Sequence, residues 1–245
     1  MFYAGIFFLF LAVWILIRPK NNREWSPDQD VLPYAEFRGR SVFLRNVRHC
    51  LYSSEDEYRA RFFYKTVSLD NLSAVYLLHI PFQDLPFAAH LFLTFEFGTE
   101  RISISIEARK RKKKKYNYFL TFFKQYELMY VVAVEDDPLL LRVLHRNDKV
   151  YRHPLNISLD EGRKLFTLML ERANRLCEKP EFYHPLVNSC TTALFRDMNR
   201  ALDRKIPLHY SWVAVAYVDR LLRKRGILSP SLSCSEGRER YLVKK

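Results

Sequence analysis

The stretch AHLFLTFEFGTERISISIEA, Ala89 to Ala108, admits one strand pairing and excludes its neighbours. Gly98-Thr99 suits a two-residue type II′ turn, which takes glycine first. Pairing outward joins Phe97 to Glu100, Glu96 to Arg101, Thr94 to Ser103, Phe92 to Ser105 and His90 to Glu107. The other face pairs Phe95 with Ile102, Leu93 with Ile104 and Leu91 with Ile106, and is wholly apolar. A slip by one residue would mix the two faces. Directly opposed residues hold their Cβ atoms about 5 Å apart, so Glu107 can accept a hydrogen bond from one ring nitrogen of His90. That contact fixes the imidazole tautomer and raises the basicity of the other nitrogen, as in the rear half of a catalytic triad. A polar cross-strand pair on a solvated sheet face has the same pattern, and only a nucleophile distinguishes the two.

The rest of the chain frames this hairpin. SVFLRNVRH, AVYLLHI and YELMYVVAV have strand composition. Ser158 and Glu161 have capping-box spacing, and Leu165, Leu168, Met169, Ala173 and Leu176 give the helix they open an apolar face bounded by Pro180. A second helix is expected from Cys190 to about Leu202, and a third over SWVAVAYVDRLLRKR, stopped by Gly226. The pattern predicts an α+β fold, one largely antiparallel sheet packed against helices.

The chain has 245 residues, 49% of them hydrophobic, and only 6 glycines, enough for one sizeable core. Its net charge of +13 favours polyanionic partners. FYAGIFFLFLAVWILI, Phe2 to Ile17, carries no charge and no proline. As a helix it spans roughly 24 Å, workable for a bilayer with thinning or with Arg18 and Lys20 reaching to the interface. It lacks the basic start and the small-residue cleavage site of a secretory signal peptide. The expected division is a transmembrane anchor over 1–18, a linker over 19–30, one domain over 31–228 and a basic polar tail over 229–245. Arg18, Lys20 and Arg23 follow the anchor, which under the positive-inside rule places the body in the cytoplasm.

Four cysteines, Cys50, Cys177, Cys190 and Cys234, show neither a CxxC pair nor zinc-ligand spacing, and no cofactor or metal is implied. Cys190 follows Asn188-Ser189, either of which can cap a helix, and so falls in the first helical turn. There the helix dipole and free N–H groups lower a thiol pKa and can serve an oxyanion. A buried inert cysteine is the competing reading.

NSCTT and the segments before it resemble the Lnb N-terminal periplasmic domain family of bacterial lipoprotein N-acyltransferases. The resemblance runs from REWSPDQDVLPYAEFRGRSVFLRNVRHCLYSSEDEY through AHLFLTFEFGTERISISIEARK and FFKQYELMYVV to ERANRLCEKPEFYHPLVNSCTT. It implies a papain-like fold of the permuted NlpC/P60 kind, with Cys190 as nucleophile, His90 as base and Glu107 as the acid that orients it. It further implies that Asn188, Ser189, Thr191, Arg109, Gln125, Tyr126 and Glu127 line the site or its oxyanion pocket. Ser189 stands where a second asparagine is usual, and Arg109 to Lys115, RKRKKKK, replaces a less charged segment.

Other histidines are weaker candidates. His184, six residues before Cys190, lies in a loop beside Pro185 with no carboxylate to orient it. His49, His79, His145, His153 and His209 show no metal spacing.

The basic run, in particular Lys112, Lys113, Lys114 and Lys115, suits an anionic membrane surface, and no nucleic-acid motif accompanies it. The resemblance implies a thiol acyltransferase of the bacterial inner membrane with its domain in the periplasm; the flanking charges that point to the cytoplasm are few, and the periplasm is the expectation. It would pass an acyl chain from phospholipid, through a Cys190 thioester, to the amino terminus of a lipoprotein. A hydrolase acting on the same residues with water as acceptor, and a membrane-tethered binding module, are the alternatives. The residues leave oligomeric state open.

Overall fold

The computed structural model describes residues 14, 16–55, 57–228 and 242–243. The expected anchor and tail lie outside these but for residues 14, 16–18 and 242–243. Among the described residues no helix is long and apolar enough to cross a membrane.

Eight strands form one sheet: β1 (Tyr34–Arg38), β2 (Ser41–Tyr52), β3 (Tyr58–Ser68), β4 (Leu72–Pro81), β5 (Ala89–Phe97), β6 (Glu100–Arg109), β7 (Glu127–Val134) and β8 (Tyr151–Pro154). The order is β1-β2-β7-β6-β5-β4-β8, with β3 paired to β2 off this path. All pairings are antiparallel except a single β2–β7 contact, Arg48 to Ala133. The described α-helices are α1 (Asp136–Leu140), α2 (Leu159–Glu178), α3 (Cys190–Ala201) and α4 (Val218–Lys224).

The β5–β6 hairpin takes the register read from its sequence for six pairs, from Phe97–Glu100 to Phe92–Ser105. Gly98 has φ +64° and Thr99 a negative φ, the backbone that a type II′ turn demands. The apolar face, Leu91, Leu93, Phe95, Ile102, Ile104 and Ile106, joins the main core with Leu165, Phe166 and Met169 of α2 and Leu194 and Phe195 of α3. Phe166 sits edge-on to both Phe95 and Phe97, at 4.9 and 5.0 Å between centroids. Each such side chain, fully buried, contributes about 1.5–3 kcal/mol. On the opposite face Leu78, Ile80 and Phe92 pack against Val143 of a π-helical turn, Leu141–His145, that continues α1.

Ser158 and Glu161 form the expected reciprocal capping box at the start of α2. The third expected helix is shorter than its sequence suggested. Residues 210–217 form two 3-10 turns, and only Val218–Lys224 is α-helical. Val213 and Val215 are poor helix formers, and Trp212 is drawn instead onto Phe195, at 5.3 Å, and to the Pro207 carbonyl, at 2.9 Å.

The segment over 19–30, expected as a linker, is stitched to the body. Trp25 is buried with the Arg109 guanidinium 4.2 Å above its ring. Asn21 Nδ2 donates to the carbonyls of Leu176 and Cys177, each at 2.9 Å.

Candidate active site

Past the Phe92–Ser105 pair the β5–β6 ladder stops, so His90 and Glu107 are not ladder partners although their side chains meet. His90 is buried, Glu107 half-buried, and Nε2 lies 3.3 Å from Oε1. The Ser105 hydroxyl lies between them. It is 2.8 Å from His90 Nε2 and donates to Glu107 Oε1 at 2.7 Å, so it accepts from the Nε2–H.

The sheet also carries the nucleophile loop to this end. Leu128 N–H donates to the Glu181 carbonyl and Tyr183 N–H to the Tyr126 carbonyl, fastening 181–183 beside the start of β7. The turn His184 to Asn188 closes with Asn188 N–H donating to the His184 carbonyl at 2.9 Å. Then α3 starts. Ser189 is its N-cap: its hydroxyl accepts from Thr192 N–H at 3.2 Å, and its own N–H donates to Thr192 Oγ1 at 2.8 Å. Cys190 is therefore the first helical residue, at the positive end of a 12-residue helix.

The Cys190 thiol lies within electrostatic reach of the His90 imidazole and the Leu91 N–H. With Nε2 turned toward Ser105 and Glu107, Nδ1 is the ring nitrogen left for the thiol. Burial alone would raise the Cys190 pKa. His90, with Leu91 N–H and Thr191, outweighs it and brings the thiol below its ordinary range. Burial opposes charge on His90 too, yet the Glu107 carboxylate and the thiol raise it to about 9. Glu107, despite burial, is held well below the usual carboxylate range by His90. Each direction favours the charged form of its group: thiolate at Cys190, imidazolium at His90 and carboxylate at Glu107. By contrast, burial pushes the Cys50 thiol up to about 12 and raises that of Cys177.

Several groups at the site have no motif in the sequence. Arg142, on the π-helical turn, faces Glu107 and Cys190 and pairs with Asp148 at 3.8 Å. The Tyr183 hydroxyl neighbours Cys190 and is kept protonated by burial first and by the Cys190 and Tyr116 charges. Tyr116 and Tyr118 are likewise kept protonated by burial first and the Cys190 charge second. Phenol groups within electrostatic reach and a helix N-terminus thus lie on the nucleophile's side, the kind of donors an oxyanion requires. Among the described residues no three His, Cys, Asp or Glu side chains converge as a metal set.

The other residues expected at the site divide. Thr191 is fully buried with Oγ1 3.9 Å from Cys190 Sγ. Tyr126 packs on Tyr116 at 5.6 Å, and its hydroxyl accepts from Asn117 N–H at 2.9 Å. Asn188 braces the loop, donating to Glu181 Oε2 and the Phe182 carbonyl. Gln125 bonds only locally, to the Phe123 carbonyl. Arg109 and Glu127 face the N-terminal segment instead of the sulfur. Arg109 donates to the carbonyls of Gln29 and Asp30, and Glu127 pairs with Arg23 at 2.9 Å. His184 Nδ1 accepts from Leu186 N–H, and its ring packs edge-on to Phe122. Lys112 to Lys115 are exposed in the β6–β7 connection, where Lys112 N–H donates to the Glu24 carbonyl.

The family profile described as the Lnb N-terminal periplasmic domain matches residues 58–221. That span contains His90, Ser105, Glu107, Arg142, Tyr183 and Cys190. No curated protein and no solved structure matches the chain.

Proposed function

The chain belongs to the Lnb N-terminal periplasmic domain family, and from that membership and the site around Cys190 we propose that it is a cysteine-dependent acyltransferase of the papain-like, permuted NlpC/P60 kind. The observation that carries this reading is the buried Cys190–His90 pair at the N-terminus of α3, backed by Ser105 and Glu107. His90 precedes Cys190 in the chain, the order expected of the permuted arrangement.

In the first half-reaction the Cys190 thiolate adds to an ester carbonyl of a phospholipid. The oxyanion develops beside the N-terminus of α3 and the Tyr183 and Tyr116 hydroxyls. The carbon–oxygen bond breaks, and the lysophospholipid leaves with the proton of the His90 imidazolium. The acyl group remains as a thioester on Cys190. In the second half-reaction a lipoprotein amino terminus attacks the thioester, His90 takes the proton from the amine, and the thiolate is released. Glu107, through Ser105, holds His90 in place and favours its protonated form. The domain would work at the periplasmic face of the inner membrane, held there by the Phe2–Ile17 segment.

The test is intact-protein mass spectrometry after incubation with phospholipid, for the parent, Cys190→Ala and His90→Ala. The expected result is an acyl-sized mass gain on the parent alone, removed by hydroxylamine and discharged by an added lipopeptide amine. Discharge by water at the same rate with and without the amine assigns a hydrolase. Neither adduct nor released fatty acid from the parent would overturn the lipid reading.

A further inference from the structure

Exposed apolar side chains occur on several elements, among them Phe37, Leu51, Tyr64 and Leu159, and one group of them adjoins the nucleophile loop. In the 3-10 turn Phe119–Phe123, Phe119 is 74% exposed and Leu120 and Phe123 are also exposed. The nucleophile loop exposes Leu186 and Val187, and Leu208 is 86% exposed. These sites adjoin one another. The Phe122 ring meets His184 at 5.6 Å, and Phe123 meets Trp14 at 6.1 Å. A groove of about 860 Å³ lies between, bordered by Trp14, Lys124, Phe182, Val187 and Arg196. A second depression shares Val187 and Arg196 and continues to Leu208 and Trp212.

Two observations identify what covers this side. Its charged margin is mainly basic: Lys112 to Lys115 lead into the Phe119 turn, and Arg18, Lys124, Lys179 and Arg196 border the groove against the carboxylates Glu178 and Glu181. Glu181, a carboxylate of the groove, is already paired with Arg172. The uncharged run Phe2 to Ile17 also ends here, since Trp14 lines the groove and Leu16 is 71% exposed. An apolar patch with a mainly basic rim, at the root of the most apolar segment of the chain, matches an anionic bilayer interface in both chemistry and position.

We propose that this side is the bilayer-docking surface, with Phe119, Leu120, Phe123, Leu186, Val187 and Leu208 seated at the boundary between headgroups and acyl chains. The groove, whose lining includes Tyr183 and Asn188 of the nucleophile loop, then opens toward lipid. The proposal rests on exposure and charge, and it stands whether or not acyl transfer is the reaction.

The experiment places a tryptophan at each position, Phe123→Trp and Leu208→Trp, with Tyr64→Trp on β3 as the exposed control away from the groove. The full chain is incorporated into phosphatidylethanolamine–phosphatidylglycerol vesicles, with and without brominated acyl chains. The emission of the parent, which has 3 tryptophans, is subtracted. The added emission at 123 and 208 is expected to lose most of its intensity in brominated vesicles, and that at 64 to keep it. The same pattern is expected in a Cys190→Ala background, because the readout requires no turnover. Unquenched emission at 123 and 208, or equal quenching at 64, overturns the proposal. So does shielding at 123 and 208 that appears only as the chain self-associates, which assigns the surface to a second copy.

Discussion

Ser105 Oγ sits 2.8 Å from His90 Nε2, closer than the Glu107 carboxylate at 3.3 Å. The hydroxyl relays the hold of the carboxylate on the imidazole. Ser105→Ala removes the relay and leaves Glu107 at longer range. Acyl transfer by this variant is expected to fall by about one to two orders of magnitude, less than for Glu107→Ala, with His90 titrating below its present value of about 9. Parallel pH–rate profiles of the parent and both variants check this. An unchanged rate and profile for Ser105→Ala would show the contact to be incidental.

The Cys190–His90 pair has a pH signature of definite sign. Lowering of the thiol pKa places the rising limb of activity below the ordinary thiol range, and His90 places the falling limb near pH 9, where the imidazolium proton is lost. In His90→Ala only burial acts strongly on the sulfur, so its pKa moves upward. Iodoacetamide labelling of Cys190, followed by peptide mass spectrometry from pH 5 to 10, is expected to begin at lower pH in the parent than in His90→Ala. Coincident labelling curves would count against the pair.

Much of this site was legible because a two-residue periodicity with a fixed turn leaves no freedom of register. Six predicted pairs of the β5–β6 hairpin are present, and Ser189-Cys190 starts a helix as expected. The ladder's end after Phe92–Ser105 was not legible, because splaying depends on the loop that inserts there and not on strand composition. Arg142 was invisible for a related reason. It reaches the site from a π-helical turn on the face opposite α3, a placement set by the packing of Val143 against Leu78, Ile80 and Phe92. Strand β3 escaped notice because Phe62, Phe63 and Tyr64 interrupt the alternation begun by Tyr58 to Arg61. Arg109 and Glu127 were assigned to the site by resemblance, yet each binds the N-terminal segment. Such a role cannot be read without knowing where residues 19–30 fold back.

Tyr183 offers a test of oxyanion stabilisation. Its hydroxyl neighbours Cys190 and its backbone N–H, and burial and the charge of the sulfur keep it protonated. When an acyl carbonyl arrives, both groups can turn to the oxyanion. Tyr183→Phe retains the ring, which packs in the core. It is expected to lower kcat by roughly 10²-fold with little change in KM, since the lost donor acts in the transition state. A rise in KM at constant kcat would assign Tyr183 to substrate binding instead.

The last prediction concerns the support under Arg142. Arg48 on β2 and Asp137 on α1 are both buried, joined by contacts of 2.7 and 3.1 Å, and Asp137 also accepts the Cys50 N–H at 2.6 Å. This pair seats α1, and the π-helical turn that continues it, against the sheet. Asp137→Ala strands the Cys50 N–H and leaves the buried Arg48 guanidinium with Asp28 alone, whose carbonyl accepts at 3.2 Å and whose carboxylate lies 3.8 Å away, which costs about 3–5 kcal/mol of stability. Asp137→Asn keeps an acceptor for Cys50 N–H and is expected to lose less. Urea denaturation of the three chains orders them. If the pair also sets the position of Arg142, Asp137→Asn will lose activity under conditions where it remains fully folded. A loss below about 1 kcal/mol for Asp137→Ala would place this pair with exposed ion pairs, which contribute little. The seat of the π-helical turn would then have to come from the apolar contact of Val143 with Leu78, Ile80 and Phe92.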